Sequence, residues 1–421
     1  MRLYFILVYL GIIVSARKHK HKNVEGNTTK ETTQTKMRYI ESEEQDVEHV
    51  TFVDTYLDFR GTMRKQFALE AALVDHARNM ICSPMSALMP LGKLALGAEG
   101  KSEKELLKAL GLSNSKQIES SFAHLITNMQ YLPGVTLDVA SRIYVGSEST
   151  LNRKFEKHTK QIFKSSCQKI DASDPSQTAS MINDWVSEKT RGKIKKLVRS
   201  SDISRDTSLI LVNAIYFYGS WNNQFSRTYT DDFHSPSGTH RVPMMTRQGT
   251  YNYYQCDTLN AQIVEIPYEG GQSSMVIVLP YSKNGLAVLL RALKLAPELL
   301  NQALEKMKKT DLILCIPKFK IETEIDLGAL YKKVGLRSLF DVRKSKLTGI
   351  VDNESVHISK AIQKAVIEVN EKGTEAAAVS VLFGLGSSPL GPNAIIVNAN
   401  YPFYFIVSAN KEQLFVGTFY N

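Results

Sequence analysis

Cysteine is scarce in this chain, and the motifs that place reactive side chains in enzymes are missing. Four cysteines among 421 residues, with no CxxC pair, argue against a disulfide scaffold and a structural zinc site. Cys82 and Cys315 lie in apolar patterns and are expected to be buried thiols. The sequence has no Gly-x-Ser-x-Gly elbow and no His-Glu-x-x-His motif. Gly97–Ser102 resembles the phosphate-binding loop motif but does not match it, because Ala95 occupies a position where the motif requires glycine. We expect no catalytic residue, no metal and no cofactor.

Hydrophobic runs long enough to cross a membrane are also absent. Met1–Ala16 combines a basic second residue, an apolar stretch and a small-residue ending, which is typical of a secretory signal peptide cleaved after Ala16. The apolar stretch is too short to span a bilayer, and no later segment reaches the required length. The sequence therefore predicts a secreted, extracellular protein with no membrane segment. A retained N-terminal anchor is the alternative.

Residues 17–50 contain little apolar side-chain surface. Arg17–Lys22 is a basic run, and a Thr- and Glu-rich stretch follows it, which predicts a disordered tail. The basic run suits a weak contact with sulfated glycans, although a solvated tail explains it equally simply. Asn27 and Asn353 each begin an acceptor motif for N-linked glycans, so the chain is predicted to be a glycoprotein.

Basic residues are in excess, but they are spread along the chain. The formal net charge is +10, and the densest internal patch is Lys189–Arg199. Nucleic-acid binding favours aromatic residues interleaved with the basic ones, and this patch has none. We therefore predict a solvated helical face and no nucleic-acid partner. Trp185 and Trp221 lie in apolar patterns and are expected in the core.

Hydrophobic periodicity predicts an α+β fold. Helical patterns dominate the first half and strand patterns the second, without βαβ alternation, and we expect one large domain over residues 51–421. The predicted helices are Tyr56–Arg78, Met85–Gly97, Glu103–Leu110, Ile118–Gln130, Asn152–Phe163, Ala179–Val198, Ala287–Leu295, Glu298–Met307 and Leu327–Val334. The predicted strands are Val135–Val145, Ser208–Tyr218, Thr250–Tyr254, Gln262–Pro267, Met275–Leu279, Leu312–Glu322, Ala365–Val369, Ala394–Asn398, Phe403–Val407 and Gln413–Phe419.

The most informative segment is Glu371–Val379. A β-branched, apolar strand pattern at Lys364–Asn370 runs directly into it, yet the segment itself is charged or small. Small side chains at every second position suit a strand that must fit between two others, where larger residues would clash. Val381–Asn398 then carries no charge and is rich in Gly, Ser and Pro. This pattern predicts an exposed loop. Its first residues, Glu371–Val379, can form a strand when they fit between two others.

The segment resembles the hinge of the serpins, and further motifs appear in the order of that family over roughly residues 54–421. An ordered set of this kind is far more specific than any single short motif. The matching motifs are Asn79 with Ser83–Ser86, Leu96–Gly100, Asn213–Trp221, Val242–Met245, Pro317–Phe319, Ile358–Lys360, Tyr401–Phe403 and Phe415–Gly417.

The resemblance implies the serpin fold, in which helices pack on a large central β-sheet with further sheets and an exposed reactive-centre loop, here about residues 371–400. It also implies a monomeric suicide inhibitor that forms a covalent complex with its target protease. The hinge would consist of Glu371, Gly373, Thr374, Ala376, Ala377 and Ala378. The shutter and breach regions, which control opening of the sheet, would contain Ser83, Ser86, Asn213, Trp221 and Gln363.

Family spacing from the hinge places the scissile bond at Ser387–Ser388, with Leu385 and Leu390 as alternatives. No Lys or Arg lies between Gly373 and Asn410, so a trypsin-like target is disfavoured. Elastase-like or chymotrypsin-like enzymes fit the loop better, and a papain-like cysteine protease attracted to Leu385 is an alternative.

Strand alternation predicts that Thr374, Ala376, Ala378 and Ser380 would face the core after insertion, and all four are small and uncharged. This favours an inhibitor over the competing class, a non-inhibitory serpin that acts as carrier, storage protein or chaperone. Two departures matter. Gln363 stands where many serpins carry histidine, and the stretch at 115–130 lacks the basic residues of heparin-activated serpins.

Overall fold

The computed structural model describes residues 78–146, 150–352, 356–372 and 395–421. The predicted signal peptide, the tail, the helix at 56–78 up to its last residue, both glycan acceptors and most of the predicted loop lie outside these ranges. In chain order the described elements are β1 Met80–Cys82, α1 Pro84–Ala95, α2 Gly100–Leu110, α3 Gln117–Gln130, β2 Val135–Gly146, α4 Arg153–Phe163, β3 Gln168–Ile170, α5 Pro175–Lys189, β4 Leu209–Gly219, β5 Arg227–Ser235, β6 Gly238–Cys256, β7 Ala261–Pro267, β8 Ser273–Pro280, α6 Leu286–Leu295, α7 Glu298–Glu305, β9 Lys308–Pro317, β10 Phe319–Asp326, α8 Leu327–Lys333, β11 Ile358–Val369, β12 Ile395–Asn398, β13 Phe403–Ala409 and β14 Glu412–Phe419.

The described strands form two sheets, and the predicted α+β class is confirmed. The five-stranded sheet, called the main sheet here, has the order β10-β11-β4-β2-β3. The larger sheet has the order β1-β14-β13-β8-β7-β6-β9-β12, with β5 paired to β6. In the main sheet β4 pairs antiparallel with β2 but parallel with β11.

The centre of the main sheet is buried on both faces, and strand alternation assigns a helix to each face. Nearly every residue of β4 is buried, as expected for a central strand covered on both sides. Val212, Ala214 and Tyr216 of β4 belong to a core cluster with Ile182 and Val186 of α5. Asn213 points to the opposite face and meets α1, which is buried along its whole length. The centre of the main sheet is therefore enclosed between α1 and α5.

The predicted helix Ala179–Val198 is wrong at its C-terminal end. Helix α5 ends at Lys189, and Arg191 and Gly192 then adopt left-handed backbone conformations with φ of 49° and 75°. The Thr190 hydroxyl donates to the carbonyl of Val186 and accepts from the amide of Ile194, which stabilises the turn. The basic patch Lys189–Arg199 is consequently not a helical face, because beyond Lys189 it is an irregular segment.

Three predicted strands also differ from the structure, and one of them, Thr250–Tyr254, is only the C-terminal part of β6, which begins at Gly238. The pattern Leu312–Glu322 is divided at Lys318, so that β9 belongs to the larger sheet and β10 to the main sheet. Strand β11 begins at Ile358, seven residues before the predicted Ala365. No hydrophobic alternation in the sequence indicates β5. Most residues of this edge strand are polar and at least partly exposed.

Candidate functional site

The candidate site lies where β4 and β11 run side by side. Their parallel pairing extends from Ile358 opposite Leu209 to Ile367 opposite Phe217, with one irregularity between Ile358 and Lys360. Strand β11 ends at Val369, and the chain is described for three more residues, of which the last two belong to the predicted loop. It is described again from β12, which pairs parallel with β9 of the larger sheet. The predicted loop therefore connects an inner strand of the main sheet to an edge strand of the larger sheet.

A buried hydrogen-bond network joins β4, β11 and α1 in the middle of this pair. We call it the polar network, and it consists of Ser83, Ser86, Asn213 and Gln363, all fully buried. Gln363 accepts a hydrogen bond from the Ser83 amide at 3.0 Å and donates through Nε2 to the Ser83 carbonyl at 2.9 Å. The Ser86 hydroxyl donates to Asn213 Oδ1 at 2.8 Å, and Asn213 Nδ2 donates to the Ser86 carbonyl.

Gln363 Nε2 faces more acceptors than it can serve. Besides the Ser83 carbonyl it lies 3.1 Å from the Ser86 hydroxyl and 3.4 Å from Asn213 Oδ1, but an amide nitrogen carries only two protons. The contact across the two strands, from Gln363 to Asn213, is the longest of the three. Gln363 Nε2 therefore has hydrogen-bond contacts both to α1 with its preceding residue Ser83 and to β4. Their strongest members attach β11 to α1 and not to β4.

Trp221 holds the end of β11 through main-chain hydrogen bonds. Its indole Nε1 donates to the Asn370 carbonyl at 2.8 Å, and its backbone amide donates to the Lys372 carbonyl at 3.1 Å. The Phe225 amide donates to the Glu371 carbonyl at 2.9 Å. The indole is buried and stacks on Tyr268, with ring centroids 4.5 Å apart and planes only 8° from parallel. Residues 370–372, where the predicted loop begins, are therefore held by hydrogen bonds from Trp221 and Phe225.

The Glu371 carboxylate makes a second attachment. It accepts a hydrogen bond from the Thr228 hydroxyl at 2.8 Å, and Lys318 Nζ lies 3.1 Å from Oε2. Partial burial alone would raise the pKa of Glu371. The hydrogen bonds from its own amide, Thr228 and Lys318, together with the charge of Lys318, outweigh burial and lower this pKa below its ordinary value. Because both partners of the ion pair are partly exposed, we expect it to stabilise the fold only weakly.

The structure brings Ser83, Ser86, Asn213 and Gln363 together, and it places Trp221 and Glu371 at the end of β11. The other predicted hinge and scissile-bond residues lie outside the described residues and remain predictions: Gly373, Thr374, Ala376, Ala377, Ala378, Leu385, Ser387, Ser388 and Leu390. Asn27 and Asn353 lie outside them as well. Sequence reasoning missed the contacts of Thr228, Tyr268 and Lys318, although the motif Pro317–Phe319 did contain Lys318.

Other sequence expectations concern thiols, metals and membranes. All four cysteines are free and buried, as expected for Cys82 and Cys315, and burial raises the pKa of the Cys167 thiol to about 11. Within the described ranges, no group of His, Cys, Asp and Glu side chains is arranged to hold a metal ion. No helix in this part of the chain is both long enough and apolar enough to cross a membrane.

Comparison with known proteins identifies the family. The family model for Serpin (serine protease inhibitor) matches residues 65–421. This chain belongs to the serpin family. It is 38% identical to Antichymotrypsin-2 of Bombyx mori over 346 residues, covering 82% of this chain and 92% of the relative. It is 39% identical to Antitrypsin of Bombyx mori over 348 residues, covering 82% and 88%.

Solved structures agree with this assignment. The crystal structure of Serpin48, a highly specific serpin of the insect Tenebrio molitor, matches with a TM-score of 0.77 and 27% identity, covering 87% of this chain and 98% of that chain. The expected serpin fold is therefore confirmed. The parallel pair of β4 and β11 is the central feature of the main sheet of this serpin.

Proposed function

We propose that this serpin inhibits proteases as a suicide substrate. The protease cleaves the loop after β11 and becomes acylated, and the freed segment then inserts between β4 and β11 as a new central strand. The observation that carries the proposal is the parallel pairing of β4 and β11. Because the chain must reverse direction after Lys372 to re-enter the sheet, an inserted strand would run antiparallel to both neighbours.

Insertion of the cleaved segment between β4 and β11 is energetically favourable. One parallel pairing is replaced by two antiparallel pairings, and parallel pairing is slightly less stable per residue. A new strand of about a dozen residues gains hydrogen bonds of roughly 1 kcal/mol each, for a total on the order of 10 kcal/mol. That energy is comparable to the stability of a whole protease domain. The native serpin would therefore be metastable and protected by a kinetic barrier.

The proposed barrier includes the polar network and the attachments of residues 370–372. Separating β4 from β11 breaks the long Gln363–Asn213 contact and the strand hydrogen bonds, while the bonds from Gln363 to Ser83 can persist. Insertion past Trp221 requires release of the carbonyls of Asn370 and Lys372. The small inward residues Thr374, Ala376, Ala378 and Ser380 would then enter the opened sheet without steric conflict.

We propose an elastase-like or chymotrypsin-like target cleaving at Ser387–Ser388. The names of the two silkworm relatives point to different proteases, chymotrypsin and trypsin, so identity alone does not choose between them. The absence of Lys and Arg from residues 374–409 disfavours a trypsin-like target, because its anionic pocket requires a basic side chain. Cleavage at Leu385 by a papain-like cysteine protease is the alternative. Secretion through Met1–Ala16 would place the inhibitor with extracellular proteases.

The test is denaturing gel electrophoresis of the purified protein mixed with elastase, chymotrypsin, trypsin or a cathepsin. We expect a covalent band with elastase or chymotrypsin, and the mass of the released C-terminal peptide identifies the scissile bond. A peptide that begins at Ser388 supports the proposed site. Clean cleavage with no such band, and no gain in thermal stability afterwards, would contradict the proposal and favour a carrier, storage or chaperone role.

A further inference from the structure

A second feature lies on the other side of β2, away from the pair of β4 and β11. It is a cavity of about 550 Å³, within the size range of small-molecule sites. Its walls come from α3, β2, the C-terminal ends of α4 and α5, and the residues just after α4. We call it the β2 cavity. The trapping mechanism proposed above gives it no role.

The β2 cavity is lined by both apolar and polar side chains, and its charged residues are all basic. Among the described residues that line it, the charged ones are Arg142, Lys160, Lys164 and Lys189, and none is acidic. Lys189 has a neighbouring carboxylate, Glu188, at 2.8 Å, whereas no described carboxylate lies within ion-pair distance of the other three. The apolar lining is formed by Met89, Ile126, Met129, Leu137, Val139, Phe163 and Trp185. An occupant that matches this lining has an apolar body and a negative group.

Two buried N–H donors in the same wall lack an acceptor. Arg142 Nε and Trp185 Nε1 are inaccessible to solvent, and neither has a hydrogen-bond partner among the described residues. The guanidinium carbon of Arg142 lies 4.0 Å from the centre of the indole ring, so the two donors belong to one stacked unit. A buried donor without a partner costs about 1–3 kcal/mol. A ligand oxygen could accept from either donor once a small shift of the stacked side chains exposes it, and this would remove that cost.

A buried lysine lies behind the wall, and because burial lowers its pKa to about 7 it adds positive charge there mainly below that pH. Lys93 of α1 is 1% exposed, and its Nζ donates to the carbonyl of Ser141 on β2 at 2.6 Å. Ser141 itself lines the cavity. The side chain of Lys93 forms no ion pair with a described carboxylate. Because its surroundings are poorly solvated, its charge acts over a longer range than the charge of a surface lysine.

We propose that the β2 cavity binds a fatty acid such as laurate. The carboxylate would accept hydrogen bonds from Arg142 Nε and Trp185 Nε1, with Lys160 and Lys189 at the basic rim. The hydrocarbon chain would pack against apolar side chains such as Phe163 and Met129. This proposal commits to a carboxylate because the lining combines two donors that lack acceptors with four basic side chains and no acidic one. An apolar cavity alone would not distinguish a fatty acid from a neutral lipid.

The test is calorimetric titration of the full-length protein with laurate, and with lauryl alcohol as the neutral analogue. We expect saturable binding of one laurate and at least about tenfold weaker binding of the alcohol, equivalent to about 1.4 kcal/mol. Arg142→Met removes the charge and the unpaired donor, and it should weaken laurate binding by a similar factor. Trp185→Phe removes only the indole donor and should weaken it by a smaller factor. Thermal denaturation verifies that each variant folds.

Lys160→Gln and Lys157→Gln form a matched pair of variants. Both lysines are exposed on α4, but only Lys160 lines the cavity, so only Lys160→Gln should weaken binding. Equal affinity for laurate and its alcohol, or equal effects of these two variants, would overturn the proposed carboxylate site. Absence of saturable binding would overturn it as well. No protease is used, so the result is independent of whether the serpin traps proteases.

Discussion

At the scale of single residues, Gln363 is the most informative position in the main sheet. Its side chain is fully buried, accepts from one backbone amide and donates to one backbone carbonyl, both of Ser83. Glutamine fulfils both roles at every physiological pH, because its amide does not titrate. The polar network of this serpin is therefore insensitive to protonation at this position.

The variant Gln363→His should make stability depend on pH. A neutral imidazole can accept from one nitrogen and donate from the other, but the protonated ring loses the acceptor and is a buried charge. Folding should therefore lower the histidine pKa below its ordinary value of about 6.5, and stability should fall as the pH decreases through that value. We expect the thermal midpoint of the variant, relative to that of the unmodified protein, to decrease between pH 7.5 and pH 5.

The control for this experiment is Gln363→Leu. Leucine leaves the Ser83 amide without its acceptor, which costs about 1–3 kcal/mol, but the loss should be the same at both pH values. A histidine variant that behaves like the leucine variant would show that protonation at this position does not affect the sheet.

Lys93 provides a second pH prediction from a cited pKa. Burial lowers the pKa of Lys93 from 10.5 to about 7, with Cys167 acting in the opposite direction and Arg142 acting in the same direction as burial. The unfolded chain then binds more protons than the folded chain between pH 7 and 10.5, so stability rises with pH over that interval. Below pH 7 both states are protonated, and the full cost of the buried charge remains.

The variant Lys93→Met should remove this dependence. We expect it to be more stable than the unmodified protein near pH 6.5, because the buried charge is gone while the Ser165 hydroxyl still donates to the Ser141 carbonyl. The difference in unfolding free energy between the variant and the unmodified protein should decrease by up to about 1.4 kcal/mol per pH unit above 7. Urea unfolding at pH 6.5, 7.5 and 8.5 measures it, with Lys157→Met as the exposed control. A constant difference would contradict a lowered pKa.

At the scale of elements, the sequence located most helices and strands but not the places where they change partners. The predicted α3 region, Ile118–Gln130, begins one residue after the observed helix and ends with it. By contrast, the pattern Leu312–Glu322 is continuously strand-like, and only the tertiary structure assigns its halves to different sheets. Local periodicity reports which side chains alternate in burial and carries no information about which neighbour covers them.

The element-scale prediction concerns the inserting strand. Thr374→Arg should convert the inhibitor into a substrate, because the inward-facing arginine would bury an unpaired charge at a cost of several kcal/mol. Glu375→Arg is the matched control, since alternation directs residue 375 outward, and it should still trap the protease. Gel electrophoresis gives the ratio of covalent complex to cleaved product. Full trapping by the Thr374 variant would contradict insertion in this register.

At the scale of the whole molecule, the proposal requires a native state that is not the most stable one. Cleavage in the loop without a trapped protease should allow insertion and raise the thermal midpoint. An added stability on the order of 10 kcal/mol predicts an increase of at least about 10 °C. Scanning calorimetry before and after limited proteolysis measures it. Cleaved Thr374→Arg should show little of this increase, and an unchanged midpoint for the cleaved unmodified protein would exclude metastability.

The sequence by itself determined the family, the α+β class, most elements and the small, uncharged character of the inward-facing residues Thr374, Ala376, Ala378 and Ser380. These properties depend on ordered motifs, local periodicity and side-chain size, which can all be read along one chain. Only the tertiary structure decided that β4 and β11 are parallel neighbours, that Glu371 contacts Thr228 and Lys318, and that a basic cavity lies beside β2. Each of these involves residues far apart in sequence, and their proximity depends on the packing of the sheets and helices.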